Sequence, residues 1–150
     1  MRVATHLFSY ATSGMAMAAL LLTTPVCLAA DGCDFGAFYE LSNVTDLGDT
    51  MSVTLTLQVF NHRDSDVYDV TVTVLAPPEL AADLGTLTSP FIGSGECTRL
   101  NADLILPPAE YERWQQGIPS MPRIDFNDAA GHREINYFEL APVPLGEEEC

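Results

Sequence analysis

The oxygen-bearing side chains best placed to bind a metal ion lie in one short polar segment. Asp64 and Asp66 flank Ser65, and Asn61 and Asp69 stand nearby, so several oxygens can reach a Ca²⁺ ion from one loop. A helix–loop–helix calcium site also requires a glycine at the bend and a final bidentate glutamate, and both are absent here. We therefore interpret the segment as a solvated turn and predict no metal site.

Residues suited to other metals or to nucleophilic catalysis are sparse. His62 and His132 have no cysteine or histidine neighbour at ligand spacing. Ser94 stands between two glycines, but the flanking segments do not form the strand-to-helix turn that exposes a nucleophilic serine. We predict no catalytic residue, no cofactor and no enzymatic activity.

The charge balance argues against one class of partner. The chain has 21 acidic residues against 6 basic ones, no lysine, and a formal net charge of −15 at pH 7. A surface of this sign repels phosphate backbones and favours solubility. We predict no nucleic-acid partner.

The first thirty residues read as a targeting segment. Arg2 precedes an apolar run at 14–22, and small residues at 28–30 stand directly before Asp31. The run is shorter than the roughly 20 residues of a spanning helix, and Pro25 interrupts it. Residues 1–30 are therefore a predicted signal peptide, cut after Ala29 or Ala30. We expect a periplasmic or extracellular product without stable membrane insertion.

Alternating apolar and polar residues predict strands along the rest of the chain. The clearest alternations run from Ser52 to Phe60, from Asp69 to Val74, and from Arg99 to Leu106. Shorter strands are expected near 35–41, 84–87 and 123–127, and a closing strand with a bulge at 134–140. Their apolar faces predict one core, made of Val53, Leu55, Leu57, Val59, Val70, Val72, Val74, Leu100, Leu104, Ile124 and Phe126.

One segment, 108–117, has the signals of a helix: a proline at its start, acids in the first turn and Gly117 at its end. Tyr111 and Trp114 are three residues apart and share a face of it. They either cap the open end of the core or form an aromatic surface for a partner. We name them as the candidate partner surface.

The pattern of six or seven short strands with one short helical segment predicts an all-β protein. We expect an antiparallel two-sheet sandwich over residues 31–143 and a loose acidic tail at 144–150, with an antiparallel barrel as the alternative. Asn61 closes one strand, and Asp69-Val70-Thr-Val72 lies in the next. This stretch resembles the immunoglobulin-like sandwiches of exported bacterial proteins, including adhesion-related repeat domains. The resemblance implies an immunoglobulin-like sandwich and identifies a superfold rather than an activity.

Four cysteines, at positions 27, 33, 97 and 150, define the redox expectation. Removal of the leader leaves three, of which two should pair in an oxidising compartment. We predict a disulfide between Cys33 and Cys97, whose strands begin at the same end of the sandwich, and a free thiol at Cys150. A disulfide between Cys97 and Cys150 is the alternative.

Three functions are compatible with these features. The first is an exported, non-catalytic binding or structural module that contacts a protein or glycan partner in the cell envelope. The second is a small periplasmic metal-binding or enzymatic protein, which depends on Asp64, Asp66, His62 and His132. The third is a subunit of a surface filament, in which Cys150 or an amino-terminal strand links neighbouring copies.

Overall fold

The structure, a computed structural model, describes residues 33–78 and 82–143. The predicted signal peptide and the acidic tail at 144–150 lie outside these ranges. The described residues form eight strands and one helix, in the order β1 Phe35–Asp46, β2 Met51–Asn61, β3 Val67–Val74, β4 Gly85–Ile92, β5 Cys97–Leu106, α1 Pro108–Gln115, β6 Pro122–Asn127, β7 Arg133–Tyr137 and β8 Leu140–Pro142.

The strands form two four-stranded sheets, with the orders β5-β2-β1-β8 and β4-β3-β6-β7. Neighbouring strands are antiparallel, except that β8 runs parallel to β1. The predicted two-sheet β-sandwich with one short helix is therefore confirmed. The described helix is not long and apolar enough to cross a membrane.

The predicted closing strand at 134–140 is in fact two strands in different sheets. Ile135 and Tyr137 are exposed on β7, whereas Phe138 and Leu140 are buried. The alternation of exposed and buried residues changes at the point where the chain stops pairing with β6 and crosses to pair with β1. A bulge within one strand was the wrong explanation for that change.

The core fills the space between the sheets as the alternation predicted. Every residue of the predicted core is buried, and Val53, Leu55, Leu57 and Val59 on β2 are fully buried. Apolar side chains on every second residue of a strand face one side of the sheet, so both inner faces supply the core. The apolar positions of the sequence were therefore assigned to the correct face.

Asn61, the last residue of β2, organises one end of the sandwich. Its side chain is fully buried, and Nδ2 donates to the carbonyls of Ser65, Ile92 and Gly93 at 3.0, 3.2 and 3.0 Å. Its Oδ1 accepts the backbone N–H of Arg63 at 3.1 Å. One amide thereby joins the β2–β3 loop to the β4–β5 turn and satisfies backbone groups that water does not reach.

The sandwich is closed on one side by the close approach of β4 and β5, which contact each other. Gly85 begins β4 so near to Leu104 that a Cβ there would lie 2.2 Å from Leu104 Cδ2. Any larger residue at position 85 would therefore require the Leu104 side chain to move. The opposite side, between β7 and β8, is not filled in this way and contains surface cavities.

Candidate partner-binding surface

The polar segment considered for calcium uses its oxygens within the fold. Asp66 Oδ1 accepts the backbone N–H of Ser94 at 2.9 Å, and Ser94 Oγ donates to the carbonyl of Arg63 at 2.8 Å. These bonds hold the β4–β5 turn against the β2–β3 loop. Among the described residues, no three His, Cys, Asp or Glu side chains are grouped so that they could hold a metal ion.

The two histidines also have partners within the protein. His62 stacks on Phe60, with ring centroids 6.1 Å apart and planes 5° from parallel. His132 Nδ1 lies 3.1 Å from Asp128 Oδ2 within the β6–β7 turn. His62 is thereby held beside the end of β2, and His132 is held within the β6–β7 turn.

Arg63 joins the β2–β3 loop to both sheets. Nη1 donates to Asp34 Oδ2 at 3.0 Å and to Glu134 Oε2 at 2.9 Å, and Nη2 donates to Glu134 Oε1 at 3.3 Å. The guanidinium carbon lies 4.9 Å from the centroid of the Phe126 ring. The Arg63 side chain is only 20% exposed, so the cluster is partly shielded from water. We interpret it as a structural contact between the sheets.

Trp114 is a core residue and not a contact surface. It is 1% exposed, and its ring meets the edge of Tyr39 at a centroid distance of 5.1 Å. Tyr111 is partly buried against the same core. The candidate partner surface at Tyr111 and Trp114 is therefore wrong, because the shared helix face packs inward and caps the core instead.

A buried carboxylate on this helix was missed by the sequence analysis. Glu110 is 4% exposed and accepts hydrogen bonds from the Ser120 hydroxyl and, at 2.8 Å, from Arg113 Nη1. It also accepts the indole N–H of Trp114. The charge of Glu110 is thus compensated by three donors, as burial of a carboxylate requires.

The disulfide prediction needs correction. Cys33 has a free thiol. Cys97 is disulfide-bonded, but not to Cys33. The predicted pair of Cys33 and Cys97 is therefore not the one in this structure. Cys150, the predicted free thiol, lies outside the described residues.

Sheet order explains why Cys33 and Cys97 do not meet. Phe35, near the start of β1, pairs with Asn61, and Cys97 pairs with the adjacent Phe60. The two cysteines are therefore at the same end, as expected, but on opposite sides of β2. Two strand spacings amount to roughly 10 Å, whereas a disulfide requires Cα atoms within about 7 Å.

Four exposed apolar side chains line the side of the sandwich next to β7. Their exposed fractions are 52% for Ile118, 55% for Met121, 60% for Ile135 and 55% for Tyr137. Met121 shares one cavity of about 290 Å³ with Tyr137 and another of about 270 Å³ with Ile118. Ile135 lies on the same face of β7 as Tyr137. We call these four residues the β7-side band.

Charged side chains border the β7-side band. Arg123 pairs in register with Tyr137, and Asp125 pairs with Ile135. Arg123 Nε donates to Asp125 Oδ2 at 2.9 Å, and this hydrogen bond raises the pKa of the guanidinium. An apolar centre beside a polar rim is the usual composition of a protein-binding surface.

An aromatic pair lies on the outer face of the same sheet. Tyr68 on β3 and Phe91 on β4 have ring centroids 5.4 Å apart and are 38% and 42% exposed. The neighbouring Asp69 has a φ of +48° at a bulge, where its Oδ2 accepts Asn127 Nδ2 at 2.9 Å. The outer face of this sheet therefore carries apolar groups at both of its edges.

Comparison with known proteins yields no family model and no curated protein that matches the chain. Among solved structures, a β-N-acetylglucosaminidase of family GH20 from Vibrio harveyi, in complex with N-acetylglucosamine, has a TM-score of 0.46 at 13% identity. That match covers 77% of this chain and 19% of the glycosidase, so the chain spans about a fifth of its length.

Two further solved structures resemble the chain weakly. A Northeast Structural Genomics Consortium target has a TM-score of 0.39 at 9% identity, covering 77% of this chain and 91% of that one. A protein from Archaeoglobus fulgidus has a TM-score of 0.31 at 16% identity, covering 69% and 88%. Likenesses of this strength carry no information about what the chain binds.

Proposed function

We propose that the chain is an exported, non-catalytic binding module of the cell envelope, and that it contacts a protein partner through the β7-side band. The observation that carries the proposal is the contiguity of Ile118, Met121 and Tyr137 along two adjoining cavities. Contiguous exposed apolar side chains with a polar rim mark interaction surfaces in soluble proteins.

The sequence resemblance supports the same class of function. Immunoglobulin-like sandwiches of exported bacterial proteins act as binding and spacing modules, and the chain has a two-sheet sandwich of short strands. The glycan version of the proposal depended on Tyr111 and Trp114, whose burial removes its support. The metal-binding version has lost support as well, because Asp66 is bonded to Ser94.

Export is part of the proposal and has its own test. If residues 1–30 are a signal peptide, the protein recovered outside the cytoplasm begins at Ala30 or Asp31. Amino-terminal sequencing of the envelope and medium fractions measures this directly. A product there that still begins at Met1 would contradict the export proposal.

Site-specific photo-crosslinking tests the binding surface. A photoreactive phenylalanine analogue at Ile118 or Met121 should yield a discrete crosslinked species that contains a second, different protein. The matched control is Ile105, which is also 52% exposed but lies in the other sheet. The proposal fails if the Ile105 position yields the same species, or if Ile118 and Met121 yield none.

A further inference from the structure

Strand β7 has one free edge. This strand pairs with β6 on one side, and no other described strand pairs with its second side. An edge strand presents a row of backbone N–H and C=O groups with which another strand can pair.

The hydrogen bonds between β6 and β7 show which backbone groups face outward. At one end, the N–H of Asp128 donates to the carbonyl of His132 at 2.9 Å; at the other, the N–H of Phe138 donates to the carbonyl of Pro122 at 3.4 Å. Hydrogen-bonded and non-hydrogen-bonded pairs alternate along an antiparallel ladder. The even-numbered residues of β7 therefore bond to β6, and the odd-numbered ones point to the free edge.

Tyr137 agrees with this assignment. Its backbone N–H donates to the side-chain Oδ1 of Asn136 at 2.7 Å, and not to β6. The side chain of Asn136 thus occupies the position that a carbonyl of an added strand would take. Arg133 and Ile135, the other odd-numbered residues, also direct their backbone groups to this edge.

We infer that β7 of one copy pairs antiparallel with β7 of a second copy, with Ile135 on the two-fold axis. In this register Arg133 lies opposite the partner's Tyr137, and Glu134 lies opposite the partner's Asn136. A cation thus faces an aromatic ring, and a carboxylate faces an amide. No residue lies directly opposite one of like charge, and each Glu134, which is diagonal to the partner's Glu134, keeps its bond to Arg63 of its own copy.

Outward-facing backbone groups fall into the same register. Ile135 and the partner's Ile135 exchange both of their N–H···O bonds. Arg133 does the same with the partner's Tyr137 once the Tyr137 N–H exchanges Asn136 Oδ1 for the partner's carbonyl. The β4-β3-β6-β7 sheet then continues into the second copy as one larger sheet. Ile135 and Tyr137, both more than half exposed in one copy, become partly covered by their cross-strand neighbours.

The inference deepens the proposed function and rests on it, because it assigns the β7 part of the β7-side band to a second copy. Ile118 and Met121 remain available to a different protein. Two copies would present them symmetrically. Since each copy carries a net charge of −15, added salt should strengthen the association by screening the repulsion.

Sedimentation of the purified exported protein over a concentration series tests the inference. Ile135→Pro removes an N–H that points away from β6, and proline is tolerated on edge strands. Ile135→Arg places two like charges on the axis. Both variants should raise the dimer dissociation constant roughly tenfold or more, whereas Ile105→Arg should leave it unchanged. Thermal unfolding confirms that each variant is folded.

Two results would overturn the inference: a wild-type protein that stays monomeric throughout, or a dimer that both Ile135 variants leave intact. A monomer that still crosslinks to another protein from Ile118 would overturn the self-pairing and leave the proposed function standing. A dimer that is sensitive at Ile135, with no second protein at Ile118, would support the self-pairing while the proposed function failed.

Discussion

Glu110 accepts the indole N–H of Trp114 at 2.8 Å, and both side chains lie in the core. The two residues are one helical turn apart, so the carboxylate fixes the rotation of the indole ring within α1. Hydrogen bonds of a charged acceptor in an apolar environment are stronger than those at the surface. This short helix is therefore held to the sandwich by a polar contact as well as by apolar packing.

Removal of that carboxylate should be costly. Glu110→Ala leaves the buried N–H of Trp114 and the hydroxyl of Ser120 without their acceptor, and we expect a loss of about 3 kcal/mol in the free energy of unfolding. Urea denaturation measures the loss. Glu112→Ala, exposed on the same helix, should change stability by less than about 0.5 kcal/mol. Equal effects of the two substitutions would show that the contact is unimportant.

Tyr39 should make the fold sensitive to alkaline pH. Its hydroxyl donates to the carbonyl of Trp114 at 2.6 Å, and burial raises the pKa of Tyr39 above its ordinary value. A raised pKa in the folded state means that the stabilisation is complete below about pH 10 and is lost as the pH rises through the folded value.

The matching variant is Tyr39→Phe, which cannot ionise at this position. At neutral pH it should be less stable by about 1 kcal/mol, because the carbonyl of Trp114 loses its donor. Above pH 10 its urea midpoint should fall less steeply than that of the wild type. Identical slopes for the two proteins would contradict the assignment to Tyr39, since the other tyrosines are common to both.

The Arg63 cluster should contribute a modest, salt-dependent part of the stability. Arg63→Ala leaves Asp34 and Glu134 without the cation between them, and we expect a loss of about 1–2 kcal/mol because both acids are partly exposed. Arg63→Lys should recover less than half of this, since lysine cannot form the forked bond to Glu134. Thermal unfolding at low and high salt separates the charge effect; full recovery by lysine would refute the bidentate geometry.

The partner of Cys97 should be Cys150 in the mature protein. Cys33 is free, and cleavage after Ala29 or Ala30 would remove Cys27, so one thiol remains for the disulfide of Cys97. Closing this loop of roughly 50 residues would stabilise the fold by about 4 kcal/mol in the loop-entropy model. Mass spectrometry after alkylation without reduction should find Cys33 labelled; a label on Cys150 would contradict the pairing.

Leu57 provides a direct test of the core assignment. It is fully buried on β2, and Leu57→Ala should lower the free energy of unfolding by about 2–5 kcal/mol through lost contacts and a residual cavity. Urea denaturation measures the change. Leu47→Ala, at an exposed turn position, is the control and should have little effect.

The sequence predicted the strands and buried faces that depend on residues close together in the chain. Strict alternation located β2, β3 and β5 and their buried faces. It placed only a short strand near residues 84–87, because β4 loses its alternation where Pro90 and Phe91 are both exposed and Ser89 Oγ donates to the carbonyl of Phe91. Local patterns fail where the burial of a strand departs from strict alternation.

The contacts that join distant segments had no sequence signal. Arg63 is 29 residues from Asp34 and 71 from Glu134. Met121 lies in a connection with no periodic pattern and approaches Tyr137 only when β6 pairs with β7. The spacing of residues along a strand shows which side chains share a face. The pairing of strands decides which distant residues come into contact.

The glycine at the start of β4 implies an order in which the native protein opens. Gly85 lets β4 and β5 approach until Leu104 fills the space between them, whereas two cavities separate the elements beside β7 and β8. Sub-global opening follows the weakest packing. Proteolysis under native conditions should therefore cut first near Glu139, in the crossing between β7 and β8. The β4 and β5 side should remain intact until the whole domain unfolds.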